Sequence, residues 1–220
     1  MTAATIQPTG KVESSAVATP IVGLPRRTID AVLISIGTVA AVVFAVAGGL
    51  LTWGNDFASD YVHRELVSQH ISFPSAEALT TEGRTDLVHF AGNAVDTGSE
   101  AEGYASYING HLQGIADGAT YADLGTSERA AKAAAQEAVD SGASQATIDD
   151  LQAQAKAITA QRDSLFRGET LRGLLLSAYA WSTVGTIAGW AALGAFVAAF
   201  LMAVLVVLGL IHHRRAVRTT

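Results

Sequence analysis

The chain has 220 residues, of which 50% are hydrophobic and only 15% charged, with a mean hydropathy of +0.31 and a net charge of −6. Soluble domains carry about 25% charged residues, so the composition argues against an ordinary soluble globule. The absence of cysteine excludes a disulfide framework, a thiol nucleophile and a thiolate metal site.

The charge is unevenly distributed. Residues 1–28 hold Lys11, Arg26 and Arg27 against Glu13, and residues 212–220 hold Arg214, Arg215 and Arg218 with no acid. Between residues 53 and 180 there are 18 acids and 8 bases, a net of −10. Basic ends around an acidic middle are what membrane topology produces.

Residues 1–28 are rich in Thr, Ala, Ser and Pro without apolar periodicity, which predicts a disordered tail. Residues 29–52 are apolar apart from Asp30 and a few small hydroxyls, enough for the roughly 20 residues of a transmembrane helix. Trp53 closes this run where an interfacial aromatic belongs, so 29–53 is read as the first span. A competing reading is a cleaved export signal. Ala45-Val46-Ala47 has the small-x-small pattern, but the apolar run continues to Leu51, past a usual signal core.

Residues 171–211 form a second apolar run whose only charge is Arg172. As one helix it would measure about 60 Å, twice the hydrocarbon core. Counting back from Arg214 and Arg215 puts the spanning part at about 190–211, with Trp190 level with Trp53. Residues 171–189 then continue outside the bilayer, where Leu174, Leu175, Ala178 and Trp181 need a covering partner. The segment after Trp53, with Phe57, Tyr61, Leu66 and Ile71 roughly periodic, is the expected partner. The predicted fold is mainly α: two transmembrane helices in an antiparallel hairpin that extends into a helical extracytoplasmic domain over 54–170, ending in a basic tail at 212–220. Small residues at four-residue spacing (Gly37, Ala41, Ala45 and Gly49; Gly185, Gly189, Ala192, Ala199 and Ala203) mark the expected helix–helix stripes. High alanine background is the plainer explanation of the same pattern, and homo-oligomerisation is a further one.

Residues 72–98, with Pro74, Gly83, Gly92 and Gly98, read as extended or irregular chain with a short two-stranded element. Ser99-Glu100-Ala101-Glu102 reads as a capping box opening a helix with Tyr104, Ile108, Leu112 and Ile115 on one face. Thr120-Tyr121-Ala122-Asp123 repeats the capping pattern. Residues 127–166 read as alanine-rich helix in two parts, broken at Gly142 and recapped by Ser144. Ile148, Leu151, Ala155, Ile158 and Leu165 form a seam about two heptads long, interrupted by Arg162. That seam could pack on the chain's own hairpin or on another protein.

The candidate chemistry is sparse. His63 and His70 lie seven apart, two turns along one helix, too far for both to bind one ion. A two-histidine, one-carboxylate site could be assembled from His63, His111 and an acid, but no spacing requires it. No HExxH, GxSxG, Walker or dinucleotide pattern occurs. Asp117 and Asp123 have local explanations as turn and cap, and His111 borders the helix's apolar face. No catalytic, cofactor or metal residue is therefore assigned. His212 and His213, in the basic end, are expected to touch headgroups. Aromatics are not interleaved with basic patches, which argues against nucleic acid.

PheAlaGlyAsnAlaVal at 90–95, GlyTyrAlaSerTyrIle at 103–108, His111 and ThrTyrAlaAspLeu at 120–124, between two apolar spans, carry a resemblance. The chain resembles a group of actinobacterial two-span membrane proteins of unknown function, over about residues 29–125 and 170–211. Such proteins often carry an automated aromatic ring-opening dioxygenase label, an activity that neither the resemblance nor these residues support. The long N-terminal stretch and the extra helix at about 126–166 depart from the pattern. The functional expectation is a non-catalytic integral protein of the cell membrane, two-pass with both termini cytoplasmic, an accessory or interaction subunit of a larger membrane complex or a homo-oligomer. The alternatives are an envelope enzyme or metal-binding protein using His111 with Asp117 or His63, and a protein that binds lipid or another apolar ligand between residues 53–70 and 171–189.

Overall fold

The structure, a computed structural model, describes residues 26–218. It is mainly α, with no strand among the described residues. The helices are α1 (Arg26–Val67), α2 (Ala76–Thr81), α3 (Gly98–Gln113), α4 (Tyr121–Asp140) and α5 (Gln145–Arg218), with 3-10 turns at Thr85–Phe90 and Ile115–Gly118. Two of these, α1 and α5, are long and apolar enough to cross a membrane. Arg26 to Thr28, expected in the tail, already belong to α1, while the rest of that tail lies outside the described residues. The basic end is also helical as far as Arg218, and α5 begins at Gln145 rather than Leu171. The seam and the long apolar run are thus one helix, with no proline to break it between Gln145 and Arg218.

The chain divides into two compact units, residues 1–42 with 200–220 and residues 43–199. In the first, Gly37 meets Val206 and Gly209 meets Ile34: a Cβ added at these glycines would lie 2.9 Å and 3.2 Å from those side chains. In the second, a Cβ at Gly48 would touch the Phe196 ring, one at Gly185 would lie 3.0 Å from Ala58 Cβ, and one at Gly189 would lie 3.0 Å from Asn55 Oδ1. Within each unit the pairing of α1 and α5 is antiparallel and close, as small residues permit. The register also places Trp53 level with Trp190, as the sequence predicted, and both are largely exposed.

The stripe on α1 differs from expectation. Gly37 and Ala41 are partly covered, but Ala45 and Gly49 are exposed and Gly48 is buried in their place. A strict four-residue step gains about 40° per step on a 3.6-residue helix, so after three steps the stripe has left the contact face. The real contact alternates steps of three and four. The same geometry leaves Phe57 and Tyr61 exposed, while Ala58 is buried against α5 at Gly185 and Val62 and Leu66 at Leu175 and Ala178.

Between α1 and α3 the chain is more ordered than its Pro and Gly content implied. Ser75 caps α2, its hydroxyl accepting from the Ala78 amide at 3.2 Å. The expected two-stranded element is a single antiparallel bridge, Ser72 to Ala94, flanked by Phe73 N to Asn93 O and Val95 N to Ile71 O, each 2.9 Å. Leu79 and Val95 are fully buried in a core shared with Val62, Leu66, Phe73, Ala101 and Leu175. The capping box of α3 is Thr97 with Glu100, not Ser99 with Glu102. Both pairs fit the pattern. Only Glu100 reaches back, accepting from the Thr97 amide at 3.0 Å and the Asp96 amide at 3.2 Å.

The Thr120–Asp123 box on α4 is as expected, with Asp123 accepting from the Thr120 amide at 2.9 Å. Gly142, at φ +68, turns the chain from α4 into α5, a conformation L side chains adopt at a cost. Ser144 then accepts from the Thr147 amide at 3.2 Å. The seam of α5 packs on α4, burying Ala135, Ala138 and Ala155. Arg162 does not interrupt it but answers Glu128, which is 6% exposed on α4.

Candidate functional site

The last turn of α3 and the turn after α2 form an open cleft of about 340 Å³, lined by Glu82, Arg84, Tyr107, Gly110, His111 and Gly114. It contains the most enzyme-like set of side chains among the described residues. His111 Nδ1 lies 3.2 Å from the Tyr107 carbonyl. A carbonyl only accepts, so this contact requires a proton on Nδ1 and leaves Nε2 facing Glu82 Oε2 at 3.8 Å. Burial, and then a hydrogen bond with Glu82, push the Tyr107 hydroxyl above its ordinary pKa, which keeps it protonated. The Arg84 guanidinium is fully engaged. It forks onto Asp86 at 3.0 and 2.8 Å and donates to the Ser106 carbonyl and hydroxyl at 2.8 Å each. The Asp86 hydrogen bond raises the Arg84 pKa, and the same bond lowers that of Asp86. Nucleophilic catalysis needs a nucleophile, a base and charge-stabilising donors converging on one point. The cleft supplies an exposed base beside a carboxylate, and its lining has no hydroxyl nucleophile other than the tyrosine.

The other candidate residues are not gathered here. Asp117 sits in a tight turn with φ +53, next to Ala116 at φ +51, as a turn-former should. His63 contacts the Asp96 carbonyl at 3.2 Å, at the opposite end of α3 from His111. His70 does not share a helix with His63: α1 ends at Val67 and His70 turns the chain at φ 52. Among the described residues no group of three His, Asp or Glu side chains is placed to hold a metal ion.

A second feature lies between α1 and α5 in the larger unit. A groove of about 300 Å³ has Val62, Leu66, Leu175 and Ala178 in its floor and Tyr61, Leu174 and Trp181 on its walls. Trp53, Phe57 and Tyr61 stack along the exposed face of α1, with ring centroids 5.7 and 6.3 Å apart. Sequence periodicity located both walls and, in Leu66, Leu175 and Ala178, most of the floor; it missed Val62, whose burial is defined by the helix that α1 meets.

Among the residues that carried the resemblance, Phe90, Tyr104 and Leu124 pack in the interior, Thr120 is a cap and His111 is exposed in the cleft. The Phe90 ring stacks on Phe73 at 5.0 Å and occupies the space a Cβ on Gly103 would need. Tyr104 meets Phe73 edge-on at 5.3 Å, and Leu124 is buried behind the Thr120 cap. Comparison with protein-family models, with curated proteins and with solved structures finds no match for this chain.

The one signal of the Glu128 cluster in the sequence is Arg162, a cation on an apolar seam. Glu128 accepts from Lys132 at 2.6 Å, Thr159 at 2.7 Å and Arg162 at 2.7 Å, and Arg162 also lies over the Tyr121 ring at 4.2 Å. All three donors hold the carboxyl down to a pKa of about 2, Lys132 most strongly. This cluster joins α4 to α5, and its geometry is that of a structural tie.

Proposed function

We propose that the chain is a non-catalytic, two-pass membrane protein of the cell envelope, with both termini cytoplasmic and residues from about 54 to 189 on the other side, acting as an accessory or interaction subunit. The carrying observation is the uncovered apolar surface of α1 and α5. In a soluble protein a helix this apolar would be buried. Here Leu33, Ile36, Val39, Leu50, Phe200 and Leu205 are all exposed, although α1 and α5 pack together. From Asp30 to Trp53 α1 rises about 35 Å, close to the roughly 30 Å hydrocarbon core. Arg27 and Arg214 flank the spans on the side that retains basic residues. The exposed aromatic ladder and Trp181 continue the apolar surface past the Trp53 level, which supports a partner protein there.

Single cysteines at Ser14, Ser144 and Thr219 test the orientation, since the chain has none of its own. An impermeant thiol reagent on intact cells should mark Ser144→Cys alone; labelling at 14 or 219 overturns it. Co-purification in mild detergent tests the accessory role, and recovery of the chain by itself under conditions that preserve membrane complexes counts against it. A second reading, binding of a lipid or other apolar ligand in the α1–α5 groove, is favoured by the groove's apolar floor. Native mass spectrometry that finds no retained lipid counts against that reading.

A further inference from the structure

The unit formed by residues 1–42 and 200–220 contains a cavity of about 300 Å³ between α1 and α5. Its walls are aliphatic, from Leu33, Ile34, Met202, Leu205 and Val206, and its polar lining is Asp30 and His212. Gly37 and Gly209 also line it, at points where the two helices approach closely in this unit. Asp30 is half-buried and makes no hydrogen bond or ion pair among the described residues. The pairing of Ile34 with Gly209 and of Gly37 with Val206 puts Asp30 level with His213 one turn further along. There, His213 Nδ1 is buried without a hydrogen-bond partner. Ionisable groups within membrane spans are costly and are almost always paired. A carboxylate without a donor, lining the cavity together with His212, therefore asks for an occupant that supplies one.

We propose that this cavity binds a phospholipid with a primary ammonium headgroup, an assignment that rests on the two-pass reading. The ammonium donates to the Asp30 carboxylate, the phosphate accepts from His212, and an acyl chain lies along the aliphatic walls. Charge complementarity selects this occupant. Basic side chains alone at a helix end favour any anionic lipid; a carboxylate inside the cavity repels a purely anionic headgroup and rewards an N–H donor. A trimethylated headgroup carries the same charge but cannot donate, so it separates the hydrogen bond from simple charge.

The test is native mass spectrometry of the full chain in detergent, offered equimolar phosphatidylethanolamine, phosphatidylcholine and phosphatidylglycerol. The wild-type chain should retain the ethanolamine lipid about tenfold over the choline lipid, the worth of one charge-assisted hydrogen bond. Asp30→Asn should bring the two to parity, and Asp30→Glu should keep the preference. Equal retention of the choline lipid by the wild type, stronger retention of the glycerol lipid, or an unchanged preference in Asp30→Asn overturns the site. The wild-type lipid series decides the matter even if the variant fails to insert. Release of the wild-type chain from membranes by alkaline carbonate overturns the two-pass reading and the site with it. A membrane-retained chain without headgroup preference overturns the site alone.

Discussion

Glu128 is the residue on which pH should act most clearly. Its three donors hold its pKa near 2, against an ordinary value of 4.5. A carboxyl whose folded pKa is depressed contributes stability above its unfolded pKa and loses it as pH falls toward the folded value. The contact between α4 and α5 should therefore weaken as pH falls from about 4.5 toward about 2. Glu128→Gln removes the charge and leaves the half-buried Arg162 without its partner. The expected result is a variant less stable than wild type at neutral pH, with the gap closing as pH falls through that window, read from urea unfolding followed by circular dichroism. Parallel profiles would show that the cluster does not carry the pH dependence. His111 is the contrasting case. It is exposed, and its 3.8 Å approach to Glu82 is a surface pair of little worth. His111→Gln should change stability by less than about 0.5 kcal/mol; rapid proteolysis of residues 54–140 in this variant would show a larger structural role.

At the scale of elements, capping and register make separable claims. Two overlapping boxes fit residues 97–102, and the observed one uses Thr97 with Glu100. Thr97→Ala should cost about 1 kcal/mol and speed hydrogen exchange in the first turn of α3, whereas Ser99→Ala should do neither. The opposite order of effects would restore the Ser99 box. For the long helices, the register predicts crosslinking. Ala58 and Gly185 face each other closely enough for a disulfide with small backbone adjustment. Gly49 and Gly194 each have nothing within 4 Å of an added Cβ. Cysteines at 58 and 185 should couple under mild oxidation, and cysteines at 49 and 194 should not. Coupling of the second pair and not the first would mean that α1 meets α5 along its Gly49 face.

For the whole molecule the open question is whether α1 is retained. Cleavage after Ala47 would remove Gly37 and Ile34, the partners of Val206 and Gly209 in the smaller unit, and would leave the apolar end of α5 as a lone span. The expectation is a purified chain whose intact mass includes residues 1–47. A mature chain starting near Gly48 would establish a removed signal and a single-span protein.

Much of this architecture was legible in the sequence because it depends on local or one-dimensional quantities. Length of apolar run, positions of Arg and Trp, a Gly before a Ser cap, and Thr-x-x-Asp spacing require no knowledge of what lies across the fold. They were enough to predict the helical class, the two long apolar helices, the level of Trp53 with Trp190 and the break at Gly142. What the tertiary structure decided is which face of each helix is used. The drift of a four-residue stripe around a 3.6-residue helix is resolved only by the position of the partner, so Gly48 rather than Gly49 meets α5. Helix α2, six residues long, is held by burial of Leu79 rather than by its own propensity. Arg162 looked like a defect in its seam until Glu128, on another helix, was brought to within 2.7 Å of it. Sequence pattern reports what each segment prefers by itself; packing chooses between preferences of nearly equal worth, because only there do the covering surfaces and counter-charges exist.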